Sequence, residues 1–245
     1  MVKKKRAGTK RPGKTSGKEV RSNMEQMTSA RPGKLRVRTL TAGTVRRAGN
    51  DTRVSAAKLV RVLTVPPVLA LFLTTVLYIA LGRAAFAAPI RYFEAVFTLT
   101  LLPVIPYGLC ALIPSWKKQG RKLERSLGIV FSLIGYIMGT LFALLGGGSR
   151  IEIILYLTYM MSGLLLGVLT FAFRFKASGH TCGAAGPFAM LTYLMGPLWL
   201  IGYAVMIPIF VSSLKLRRHT VCQLLAGAVV SVSSLIAAIK LAGLF

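Results

Sequence analysis

Acid is the scarcest chemistry in this sequence. Six Asp and Glu stand among 245 residues, against 32 Lys and Arg, for a formal net charge of +26. So few carboxylates exclude an oxygen-ligand cage for Mg²⁺ or Ca²⁺. The three cysteines, Cys110, Cys182 and Cys222, lack zinc spacing and read as small apolar residues whose thiols stay reduced. No resident metal or cofactor is expected. The chain has no glycine-rich P-loop and no Gly-x-Ser-x-Gly turn, so P-loop and α/β-hydrolase chemistry lack their residues. Histidine is nearly absent, with only His180 and His219. No charge falls in the middle of a long apolar run, which leaves a transporter without its usual intramembrane residues.

What is present is apolar, at 54% hydrophobic residues, and a chain of that composition is expected in a membrane. The charge divides it into two parts. Residues 1–61 hold 18 of the basic residues and three acids, Glu19, Glu25 and Asp51. This segment has no apolar periodicity and is expected to be a disordered basic tail, because it cannot bury enough surface to offset chain entropy. Its basic start meets no apolar run for some sixty residues, so it is not read as a secretory signal peptide. Beside a membrane domain, its expected partner is anionic lipid heads rather than nucleic acid. Residues 62–245 form the second part.

Seven apolar runs follow: Val65–Gly82, Tyr92–Ile113, Leu127–Leu145, Ile151–Phe173, Thr181–Met195, Leu198–Ser213 and Thr220–Leu244. Most approach the ~20 residues a helix needs to cross the hydrocarbon. The expected fold is therefore all-α: a polytopic transmembrane bundle of six to seven spans. The fifth and sixth runs are short and meet at Gly196-Pro197. They are expected to form a tight hairpin rather than one kinked helix. Gly135-x3-Gly139 and Gly163-x3-Gly167 have the spacing that lets membrane helices approach closely.

The loops differ in charge. Lys117, Lys118, Arg121, Lys122 and Arg125 follow the second run, Arg174 and Lys176 the fourth, and Lys215, Arg217 and Arg218 the sixth. The odd-numbered loops hold Arg83, Arg91 and Arg150. With seven spans the three basic loops share one face with the tail. The positive-inside rule makes that face cytoplasmic, in a protein expected in the cell membrane.

Both histidines sit in basic loops, each at the start of an apolar run. Basic side chains supply charge for phosphoryl oxygens. The pair Ser178-Gly179, opening a helix, supplies free backbone N–H groups. Two imidazoles supply a nucleophile and a general acid. The grouping reads as a phosphate site. The plainer alternatives are topology-setting charges at Lys118, Arg125 and Arg217, and a helix cap at Ser178.

The three loops resemble the three signature motifs of the type 2 phosphatidic acid phosphatase family, which includes the vanadium haloperoxidases. The family's first motif is Lys, six residues, Arg-Pro; Lys118 and Arg125 keep that spacing, with Ser126 in place of Pro. The second is Pro-Ser-Gly-His; Ala177 to His180 read "ASGH". The third is Ser-Arg, five residues, His, three residues, Asp; Ser212 and His219 are kept, with Ser213 for Arg and Gln223 for Asp. The match spans roughly residues 117–227.

The resemblance implies a metal-independent phosphatase that acts on a lipid phosphate monoester or a polyprenyl diphosphate. His219 would attack phosphorus and form a phosphohistidine, and His180 would protonate the leaving oxygen. Lys118, Arg125, Lys176, Ser178, Gly179 and Arg217 would hold the phosphoryl oxygens, with Lys215, Arg217 or Arg218 standing in for the absent motif-three Arg. Gln223, one helical turn after His219, would orient the imidazole without adding negative charge. That departure motivates a second expectation: an inactive family member that binds anionic lipid heads or scaffolds a partner.

Overall fold

The computed structural model describes residues 64–118 and 120–244, without the side chains of Lys117, Arg121, Lys122 and Arg125. The expectation of a disordered tail falls outside the described residues. Those described are helical, with no strand among them.

Seven long helical runs make up the described chain. They are α1 (Pro66–Leu81), α2 (Pro89–Leu112), α3 (Gly120–Leu145), α4 (Arg150–Phe171), α5 (Gly179–Met195), α6 (Pro197–Lys215) and α7 (Val221–Leu241). All but α5 supply a stretch long and apolar enough to cross a membrane, α1 doing so together with the 3₁₀ turn that extends it to Ala84; α5 has 17 residues. Large apolar side chains stand outward, among them Ile79, Leu112, Leu145, Phe171 and Leu198. A surface so apolar is stable in hydrocarbon and not in water. The protein is an integral membrane helical bundle.

The helix starts follow local chemistry. Proline opens α1, α2 and α6, where its missing N–H costs nothing. Ser149 and Glu152 form a capping box on α4, and Thr220 and Gln223 form one on α7. Within α2, residues Phe97–Leu101 widen into a π turn just before Pro103 and Pro106, where the ladder must yield to the rings.

The third helix begins seven residues before the apolar run it was expected to follow. Lys, Arg, Leu and Glu between 121 and 125 are good helix formers, so the basic segment joins α3 instead of a loop. The expected hairpin at Gly196 is present. Gly196 has φ 100°, a conformation only glycine adopts cheaply. Past it, a Cβ on Gly202 would lie 2.1 Å from the Phe188 ring, so α6 returns alongside α5. The first half of α6 (Pro197–Val205) is 3₁₀ helix.

Close contacts give the direction of each helix. A Cβ on Gly139 would meet Tyr156 at 2.0 Å, and one on Gly163 would meet Leu133 at 3.1 Å, so α3 and α4 run antiparallel. Gly135 is packed as tightly, against the backbone of Thr98, whereas Gly167 faces open space. The spacing motif therefore marks a packed seam on α3 and only half of one on α4. At the other end of α4, Arg150 lies beside Gly243, just beyond α7, so α4 and α7 are also antiparallel. The start of α3, the end of α4 and the start of α7 consequently share one end of the bundle. All three basic loops lie there.

Helix α5 is the central one. Ten of its residues between Thr181 and Leu191 are buried, and it does not begin at the bundle's end. The Ser178 N–H donates to the Gln223 carbonyl at 2.9 Å. A Cβ on Gly227 would strike the Ser178 carbonyl oxygen at 2.3 Å. At 1.5 Å per residue, Gly227 is about 9 Å inside α7. The chain from Arg174 to Ser178 thus descends into the bundle before α5 starts, which is why α5 is short.

Candidate functional site

The loop before α7 begins at a strained turn. Helix α6 ends in a Schellman motif, with Arg217 N–H donating to Leu214 O at 2.9 Å and Arg218 N–H to Ser213 O at 3.1 Å. The left-handed position of that motif is usually glycine; here it is Arg217, at φ 47°. The end of α4 has the same oddity at Arg174, φ 51°. An L-residue with a β-carbon pays roughly 1–2 kcal/mol in that region.

His219 follows, half-buried, then Thr220 as the N-cap of α7. Gln223 Oε1 accepts from the Thr220 N–H at 3.2 Å, and Thr220 Oγ1 accepts from the Gln223 N–H at 3.4 Å. The same Oε1 lies 3.2 Å from His219 Nδ1. The backbone donor fixes which end of the amide faces the cap, because flipping it would set two donors against each other. An amide oxygen only accepts, so Nδ1 must carry the hydrogen. The neutral ring is left with its lone pair on Nε2. A helix cap thereby selects the tautomer of His219.

Gln223 also joins the two histidine loops, since its carbonyl takes the Ser178 N–H. Ser178 is fully buried and caps α5: its Oγ accepts from Thr181 N–H at 3.4 Å, and Thr181 Oγ1 donates to Ser178 O at 3.0 Å. The cap reading of Ser178 is what its bonds describe. Gly179 follows, exposed, at the first helical position, and His180, half-buried, at the second.

Hydrogen bonds therefore hold His219, Gln223 and Ser178 in one cluster, with His180 on the first turn above it. Lys176 and Arg217 are exposed on the flanking loops. Lys118 is exposed in the turn before α3, at the same end of the bundle, and no hydrogen bond among the described residues ties it to the histidine loops. Arg125 lies in the second turn of α3, and its side chain is outside the described residues. Ser213, where the resembled family has Arg, is buried, and its Oγ has no hydrogen-bond partner. Among the described residues, no three His, Cys, Asp or Glu side chains gather. Thr220 and Thr181 were not foreseen as parts of the cluster, although Thr-x-x-Gln before an apolar run is itself a capping signature.

The arrangement offers one imidazole with a fixed lone pair, a second imidazole on a helix's first turn, and cations around both. This is a setting for nucleophilic attack on an anionic centre. No protein-family model, curated protein or solved structure matches the chain.

Proposed function

We propose that the protein is a membrane-embedded, metal-independent phosphatase for lipid phosphates. The observation that carries this reading is the bond from His219 Nδ1–H to Gln223 Oε1 at 3.2 Å. With Nδ1 carrying the hydrogen, the ring nitrogen that attacks phosphorus is Nε2. His180 protonates the departing oxygen. Lys118, Arg125, Lys176 and Arg217, with the amide of Gly179, take the phosphoryl oxygens. The substrate class is phosphatidic acid, phosphatidylglycerol phosphate or a polyprenyl phosphate or diphosphate. Its apolar tail stays in the bilayer while the head reaches the basic end. The deciding experiment is phosphate release from a panel of such lipids by the purified protein, with chelator present throughout. Inertness on every member would remove this reading.

One observation favours a second reading. Gln223 Oε1 is shared between His219 and the Thr220 N–H, and it carries no charge to support an imidazolium. An inactive relative that binds anionic lipid heads would have the same bonds. Substitution at Gln223 separates the two. Gln223→Asp keeps the acceptor, adds charge and suits the start of a helix, so activity is expected to be retained or raised. Gln223→Leu removes the acceptor and is expected to slow release on the order of ten- to thirtyfold, about one to two hydrogen bonds' worth. Equal rates for Gln223→Leu and the wild type would free His219 from this dependence.

The basic end is proposed to face the cytoplasm, in the cell membrane, together with the tail. The protein carries its own reporter. Cys222 is exposed at the start of α7, while Cys110 and Cys182 are buried. A membrane-impermeant maleimide is expected to label Cys222 alone, in inside-out vesicles and not in intact cells. Labelling in intact cells would reverse the topology.

A further inference from the structure

Six described residues have φ in the left-handed region: Gly82, Gly120, Gly147, Gly196, Arg174 and Arg217. Four are glycine, the residue this conformation favours. The two exceptions are both arginine, and both lie on the segments leading into a histidine. Strain that persists where a freely used residue would relieve it points to function.

The arginines of the other end behave differently. Arg91 donates through Nη1 to Phe142 O at 2.8 Å, donates to Gly146 O, and pairs with Glu94 at 3.3 Å. Arg91 is spent on the fold. Arg174 and Arg217 are exposed, and neither guanidinium has a hydrogen-bond or ion-pair partner among the described residues. Acid is also lacking around them. Of the described acids, Glu94 and Glu152 belong to the opposite end, which leaves Glu124 against ten basic residues in the three loops.

We infer that Arg174 is a phosphate-contacting residue that acts with Arg217, the two guanidiniums gripping one phosphate group between the histidine loops. The inference rests on the proposed phosphatase reading and adds a residue to its site. Arg174 sits just beyond the end of α4, Arg217 just before the cap of α7, and those two helix ends are neighbours. A planar guanidinium on each side suits a tetrahedral dianion with several acceptor oxygens. Both arginines are held by the backbone where the loops turn, so the αL geometry sets where each side chain departs.

The test uses the full-length protein and thermal unfolding, with inorganic phosphate or dihexanoyl phosphatidic acid added at ionic strength matched by chloride. Both ligands are expected to raise the wild-type Tm. Arg174→Gly is expected to raise the unliganded Tm by about 2–4 °C, since glycine relieves the strain. It should also weaken both ligands on the order of tenfold. Arg174→Lys keeps the charge without the fork and should fall between. Arg83→Gln, at the opposite end, should bind like the wild type. The inference fails if Arg174→Gly binds phosphate as tightly as the wild type, if its unliganded Tm falls, or if only the lipid ligand weakens, since that last result assigns Arg174 to the bilayer surface. A wild type that binds phosphate through Arg174 yet releases none from any lipid would sink the phosphatase reading while leaving the anion site in place.

Discussion

His219→Ala is expected to reduce phosphate release to background, a loss on the order of 10⁴ or more. The reason lies in the bonds of the ring. Its Nδ1–H is tied to Gln223, and the amide is itself held by the cap of α7, so the ring presents one nitrogen in one tautomer. No other side chain in the cluster can take its place. Ser178 is buried and capping, Thr220 Oγ1 is engaged with the Gln223 N–H, and the proposed mechanism already uses His180 as the acid. The fold should survive, because the ring is only half-buried at the bundle's end and its bond to Gln223 is worth about 0.5–1.5 kcal/mol. Binding to vesicles rich in anionic lipid should survive too, since it depends on the basic residues. The pattern of lost turnover with kept binding and a kept Tm is what a nucleophile produces. Full turnover in His219→Ala would rule out a phosphohistidine.

The spans were legible because the bilayer demands long apolar runs and because proline marks where several of them begin. Pro66 and Pro89 open helices within a few residues of the expected starts. The hairpin at Gly196 was legible for a similar reason, as two runs too short to share one straight helix meet at a Gly-Pro pair. The depth of α5 was not legible. Hydropathy reports how apolar a run is, not where along the membrane normal it begins. Only the contacts of Ser178 with Gln223 and Gly227 reveal that α5 starts inside the bundle. In the cluster, the four-residue spacing made the His219–Gln223 pair foreseeable. The claim of the Thr220 N–H on the same oxygen was not foreseen, and it is what determines the tautomer. Arg217 is picked out only through the family resemblance, and Arg174 does not stand out among ten basic loop residues. Their distinction is a backbone angle, and sequence does not display backbone angles where the residue is the wrong one for them.

His180→Ala is expected to slow hydrolysis of a lipid phosphate by roughly 10²–10⁴, the usual worth of a general acid. The size of the loss should depend on the leaving group, which separates this role from a structural one. His180 is the second residue of α5, one position past Gly179. The helix start beneath it is fixed twice, by the Ser178 cap and by the Gln223 carbonyl. That anchoring sets the ring's position relative to His219, because Gln223 belongs to both loops. An alkoxide leaving from a lipid phosphate needs a proton as the P–O bond breaks. A nitrophenolate does not, and departs as the stable anion. His180→Ala should therefore lose little on nitrophenyl phosphate while losing most of its rate on the lipid substrate. If the ring merely propped the loop, both substrates would slow alike. A uniform loss would assign His180 to packing, and no loss on either substrate would place the proton donor elsewhere among the basic residues of this end.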